Sequence, residues 1–296
     1  MRLTNLTYGV IDVGSNSVRL LISKNGQTIN KFAIITRLSK GLTDGGVLSE
    51  DSIKRTIDAL SFLKEKAIKE YNVDELFAFA TAGVRYANNK IDFINACKRE
   101  LDLDLDVVSG ETEAEIGALG ALSGSDGGFI DVGGKSTEIA QIKANKRSFS
   151  KSINLGVVTL YEKFSENVED IKKYCKLVLE NNIDKTKIDC DNFVIVGGTA
   201  TTIASIALSL KEYDFRLVDG YFLDKKTLLN VINKLIALPI NERSIKYCIQ
   251  KGREDVIVSG AILILEIMNY LSVDGLTVRD SDNLEGYLIK KVENYE

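Results

Sequence analysis

Two stretches of this 296-residue chain share a phrase. Ile11-Asp12-Val13-Gly14 runs on into Ser15, Asn16 and Ser17, and Ile130-Asp131-Val132-Gly133 runs on into Gly134, Lys135, Ser136 and Thr137. A turn that ends an apolar strand needs Gly or Asn but has no need of the same Asp before it. The repeat therefore points to chemistry. A hairpin of this kind turns the backbone N–H groups of Gly14 to Ser17, or of Gly133 to Thr137, toward phosphate oxygens, with nothing bulky on the glycines to keep the phosphate out. Asp12 and Asp131 then face the same space. Two carboxylates repel a phosphate unless a hard cation lies between, which implies Mg2+ held largely through waters. Glu138, seven residues after Asp131, reaches the same ion or its waters from the second strand of its hairpin.

A third glycine signal, Gly197-Gly198-Thr199, separates an apolar run from a helical one. By itself it reads as helix capping by Thr199 with glycines for close packing; beside the two hairpins it reads as room for a nucleotide or for more phosphate. Gly133-Gly134-Lys135-Ser136 also invites a P-loop reading, but the position five before Gly134 is Phe129, not Gly. The residues that follow alternate as a strand does, whereas a P-loop opens a helix.

Composition narrows the chemistry. With no histidine in the chain, Ser-His-Asp triads, Cys-His dyads and His-ligated metals are all excluded. Cys97, Cys175, Cys190 and Cys248 form no C-x-x-C pair and read as reduced structural thiols. A net charge of -4 argues against nonspecific nucleic-acid binding, so an anionic ligand must be met locally by Arg, Lys, backbone amides or a divalent cation. The most apolar late run is interrupted by Glu266 and is too short to span a bilayer, and no leader is recognisable; a cytoplasmic protein without membrane contact is expected.

The elements that must position these residues follow from periodicity. Tyr8 to Ser39 alternates β-formers with turn residues, including an Asn25-Gly26 hairpin signal. Ser49 caps an amphipathic helix with Ile53, Ile57, Leu60 and Leu63 on one face. A buried strand leaving through Thr81 and Arg85, a helix, and a short strand running into the helix that holds Glu113 complete a β-β-β-α-β-α-β-α order. The second half begins the same way, with a turn at Ala144-Asn145-Lys146, and continues through helices at Val157 to Phe164, Val168 to Asn182, near Lys225 to Leu238 and near Arg253 to Leu271. The class is α/β, with two similar halves whose 45% apolar content fills a core in each.

With these segments in order, the chain resembles the exopolyphosphatase and guanosine pentaphosphatase (Ppx/GppA) family of the actin-like superfamily, from about Tyr8 to Leu288. The resemblance implies two ribonuclease-H-like domains, residues 1–121 with 285–296 and residues 122–284, around a cleft in which terminal phosphoanhydride bonds are hydrolysed. It places Glu113 as the catalytic carboxylate that orients water and Arg85 as its phosphate-binding arginine, with Arg19 and Arg253 as weaker candidates. Inorganic polyphosphate or guanosine tetra- or pentaphosphate is the implied partner; a homodimer is left open. Two features depart from the family pattern. Lys135 stands where a third glycine is usual, at a cost of about 1 kcal/mol if its φ is positive, which a lysine-phosphate contact would offset. Asp282 and Leu284 replace a glycine and an arginine near the C-terminus. A phosphate-sensing binding protein of the same fold and an actin-like kinase are the alternatives.

Overall fold

The computed structural model describes residues 6–42, 46–144 and 146–293. Its first half runs β1 (Thr7–Val13), β2 (Ser17–Lys24), β3 (Gln27–Ile35), α1 (Glu50–Tyr71), β4 (Glu75–Ala80), the short α2 (Ala82–Arg85), α3 (Lys90–Leu101), β5 (Asp106–Val107) and α4 (Gly110–Leu122). The second half begins β6 (Gly127–Val132), β7 (Thr137–Lys143), β8 (Lys146–Ile153), α5 (Val157–Phe164), α6 (Val168–Asn182), β9 (Phe193–Val196) and α7 (Gly198–Ala207). It ends α8 (Phe215–Val218), β10 (Phe222–Asp224), α9 (Lys225–Ile236), α10 (Ile240–Lys246), α11 (Ile257–Leu271), β11 (Gly275–Val278) and α12 (Asn283–Glu293).

The strands form two sheets, β3-β2-β1-β4-β5 and β10-β11-β9-β6-β7-β8. Their cores repeat: β1 pairs antiparallel with β2 and parallel with β4, and β6 pairs antiparallel with β7 and parallel with β9. Asn25 and Gly26 both have positive φ in the tight turn joining β2 to β3, as the Asn-Gly signal requires. The corresponding turn between β7 and β8 includes Asn145, which lies outside the described residues.

Every residue of β1 is buried, because the strand is covered on both faces. Ile11 and Val13 pack with Leu60 and Leu63 of α1 and Phe93 of α3, while Tyr8 and Val10 pack with Leu284, Tyr287 and Leu288 of α12. In the second lobe Ile130, Val132 and Ile195 face α5, α6, α7, α9 and α11, while Phe129 and Val196 face Ala114 and Ala118 of α4. The inner layers are therefore sheet, α12, α4, sheet. Helix α4 belongs by sequence to the first half yet lays its small-residue face on the second sheet. It crosses α12 at backbone contact: a Cβ on Gly286 would stand 1.6 Å from the Ile116 carbonyl oxygen.

Ser49 caps α1 by accepting from the Ser52 N–H, as expected, and Ile57, Leu60 and Leu63 are buried. Helix α11 starts at Ile257, later than the expected start near Arg253. All four cysteines are free thiols. Among the described residues no helix is long and apolar enough to cross a membrane.

Candidate active site

Strand alternation puts Asp12 on the same face of β1 as Val10, and Asp131 on the same face of β6 as Phe129, so both carboxylates point inward between the sheets. Each precedes the same turn: Gly14 N–H donates to the Ser17 carbonyl and Gly133 N–H to the Ser136 carbonyl, both at 3.0 Å. The two turns meet. A Cβ on Gly134 would lie 2.8 Å from Ser15 Cβ, so the hairpins close on one another across the crevice. Gly14 to Ser17, with Gly133, Gly134 and Ser136, line a narrow cavity of about 90 Å³ together with Asp12, Glu113 and Asp131. Gly197, Gly198 and Thr199, at the β9–α7 junction, form another wall with Arg253.

Glu113 stands in the first turn of α4, whose N-cap Ser109 accepts from the Thr112 N–H at 3.1 Å. It is only 5% exposed, and Arg85 Nη1 donates to its Oε2 at 2.8 Å. Burial raises the Glu113 carboxyl to about 7 against the pull of that guanidinium. Burial likewise lifts Asp131 to about 7, raises Asp12, and holds Glu138 well above the usual carboxylate range, with Glu113 and Asp131 adding repulsion there.

Several expected phosphate ligands are placed elsewhere. Lys135 has no positive φ, so the turn carries no lysine strain, and its buried Nζ donates to the Leu42 carbonyl at 2.8 Å instead of pointing at the cavity. The Thr137 hydroxyl donates to the Leu155 carbonyl, within the core. Arg85 backs Glu113 rather than lining the cavity, and its Nη2 is buried without a hydrogen-bond partner. Arg19 reaches the cavity but is occupied: Nε donates to Asp12 Oδ2 at 3.0 Å and Nη1 to Asp282 Oδ2. Arg253 differs from both. Its guanidinium lies over Gly198, where a Cβ would collide with it, and its Nε is buried with no partner. Burial and the nearby Arg19 lower it to about 10.

Two polar residues of the cavity were not foreseen as part of it. Asn283 at the start of α12 donates to Asp131 Oδ2 at 3.1 Å, and Thr81 lines the wall beside Glu113. Both follow strands that pair in parallel, β11 with β9 and β4 with β1, where α/β folds gather their ligands, and that position was the available signal.

The strand partner of Asp12 is Arg19, whereas the strand partner of Asp131 is Glu138. The first lobe thus sets a cation beside its aspartate and the second a carboxylate. Glu138 is buried behind the cavity wall, accepting from Ser152 Oγ at 2.6 Å. Asp12, Glu113, Asp131 and Glu138 outnumber Arg19, Arg85 and Arg253, and Asp12 Oδ1 is buried without a hydrogen-bond partner. Such a set suits a hard cation. Among the described residues no three acidic or thiol side chains converge as a ready ligand cage, so the fit is to an ion that keeps waters or takes phosphate oxygens as ligands.

The family model for the Ppx/GppA phosphatase family matches residues 20–295, and the chain belongs to this family. It is 32% identical over 98% of its length to a bifunctional 3-dehydroquinate synthase/phosphatase of Fusobacterium nucleatum, of which it spans 47%. It is 28% identical to exopolyphosphatase 2 of Mycobacterium tuberculosis, over 93% of this chain and 95% of that one. Among solved structures, the Ppx/GppA family member of Aquifex aeolicus superposes with a TM-score of 0.79 at 30% identity, covering 98% of this chain and 99% of the other.

Proposed function

We propose that this Ppx/GppA family member hydrolyses phosphoanhydride bonds, releasing the terminal phosphate of inorganic polyphosphate or guanosine pentaphosphate in an Mg2+-dependent reaction. The observation that carries the reading is Glu113: a nearly buried carboxylate, oriented by Arg85 at 2.8 Å, lining the cavity in which the two glycine hairpins meet.

The hairpin amides beyond Gly14 and Gly133, whose N–H groups are spent within the turns, and the helix start at Gly198 supply fixed donors for the equatorial oxygens of the terminal phosphoryl group. Arg253, which has no carboxylate partner among the described residues, supplies the positive charge on the side of Gly197 and Gly198. Asp12 and Asp131 would hold Mg2+ at the cavity, with Glu138 behind the wall adding negative potential only, and the ion would neutralise phosphoryl charge and relieve the repulsion those carboxylates exert. Glu113 holds the attacking water by accepting its hydrogen bond, and Arg85 fixes which oxygen does so. Contact between the hairpins narrows the cavity to about 90 Å³.

The test is phosphate release from polyphosphate, guanosine pentaphosphate and ATP with Mg2+, beside the Glu113→Gln variant. The variant is expected to lose about 100-fold or more in rate. Release that the variant leaves intact rejects the role of Glu113. Negligible release by both proteins, with tight nucleotide binding, replaces the hydrolase by a binding protein.

A further inference from the structure

Arg19 lies where an anion would meet it, in the narrow cavity and also in a wider adjoining pocket of about 490 Å³. Its guanidinium is nevertheless committed. Nε and Nη2 donate to Asp12 Oδ2 and Nη1 donates to Asp282 Oδ2, so one cation serves two carboxylates and the trio is net negative. A phosphate can take the arginine fork only if one carboxylate gives way.

Asp282 is braced against giving way. Its Oδ1 accepts from the Leu284 N–H at 3.0 Å, and its own N–H donates to Glu285 Oε2 at 3.0 Å, a reciprocal cap on the first turn of α12. The other oxygen of Glu285 is 2.7 Å from Lys31 Nζ, which also bonds Asp280 at 2.8 Å. One oxygen of Asp282 thus caps a helix while the other restrains an arginine. Burial works against the charged form, but Arg19 and Lys31 hold the Asp282 carboxyl below its ordinary range, so the restraint is an ionised one. Among the described residues nothing comparable restrains Arg253.

We infer that Asp282 is a positioning residue that withholds Arg19 from the anion, leaving Arg253 as the cation that engages it and setting a ceiling on affinity. The inference rests on the crevice being the phosphate site proposed above. Asp282 stands outside that set of phosphate ligands and acts only through Arg19.

Asp282→Asn removes the charge and keeps the shape and the capping oxygen, since Asn and Asp are comparable N-caps. Inorganic phosphate, which cannot be hydrolysed, is titrated calorimetrically in the presence of Mg2+ into the native chain, Asp282→Asn, Arg19→Gln and the double variant. Asp282→Ser, a second capping residue, guards against a folding defect peculiar to Asn. Both Asp282 variants are expected to bind phosphate about tenfold tighter, the scale of one recovered charge-assisted contact, and the gain is expected to vanish when Arg19 is also Gln. No tightening, equal tightening in the Arg19→Gln background, or binding by none of the proteins overturns the inference. Turnover of polyphosphate is measured separately: its absence with the binding cycle intact removes the hydrolase and leaves the Asp282–Arg19 restraint standing.

Discussion

Replacing Arg85 by Gln removes the cation that opposes the burial of Glu113. In the native chain the two effects leave the carboxyl at about 7, well above its ordinary 4.5, with the guanidinium 2.8 Å away. A carboxylate that orients water must be ionised, so log kcat/KM rises with pH up to the bend at which Glu113 titrates, drawn below the metal-free value by Mg2+ bound alongside, and is flat above it. One unit below the bend only about a tenth of the population is ionised, and the rate falls about tenfold. An opposite charge this close holds a carboxyl down by about 1–3 units, so Arg85→Gln moves the bend upward by at least about one unit. The variant is then most defective below neutrality and recovers in alkali, apart from any pH-independent loss. Initial rates of phosphate release from tripolyphosphate at saturating Mg2+ give the profile. A bend that Arg85→Gln leaves in place or lowers refutes the reasoning. Stability carries the same signature. The folded chain keeps on Glu113 a proton that the unfolded chain releases between about 4.5 and 7, so this group lowers stability as pH rises through that window and contributes no further slope above it.

Arg253→Ala removes a buried cation without a carboxylate partner; KM for polyphosphate is expected to rise about tenfold or more, with a thermal midpoint unchanged or higher because an unpaired buried charge is costly. A lowered midpoint with unchanged KM would assign the residue to structure. Chelation of divalent cations is expected to abolish phosphate release and added Mg2+ to restore it, since the acidic side chains of the cavity otherwise repel the substrate; full activity in excess chelator contradicts the shared-cation reading.

Backbone-scale features were legible in the sequence. The doubled Ile-Asp-Val-Gly phrase marks two hairpins that meet, because a strand's period of two fixes which face each aspartate occupies once the apolar residues around it are buried. The role of Glu113 came from the family resemblance; the local pattern supplied only its place on a helix, which the first turn of α4 matches. Side-chain commitments were not legible. Lys135 and Arg19 occupy turn and strand positions compatible with a phosphate contact, yet the Leu42 carbonyl and Asp282, 93 and 263 residues away, claim their nitrogens. Such pairings are set by tertiary packing and leave no local trace. Arg253 reads by periodicity as the start of a helix, but α11 begins only at Ile257, and that delay leaves its side chain over Gly198. The elements α8 and β10, four and three residues long, are too short for a pattern to accumulate, and the sequence reading names neither.

The unlike partners of the two aspartates have a consequence for direction. A doubled scaffold starts out with two interchangeable ends, but splitting an anhydride distinguishes them: water enters at one and the shortened chain departs at the other. Arg19 in one lobe and Glu138 at the matching register of the other break that equivalence. The acidic end, beside Glu113, suits the incoming nucleophile, while the end toward Arg253 and the wider pocket suits the retreating anion. The unlike partners Arg19 and Glu138 thereby give the two-lobed cradle a front and a back.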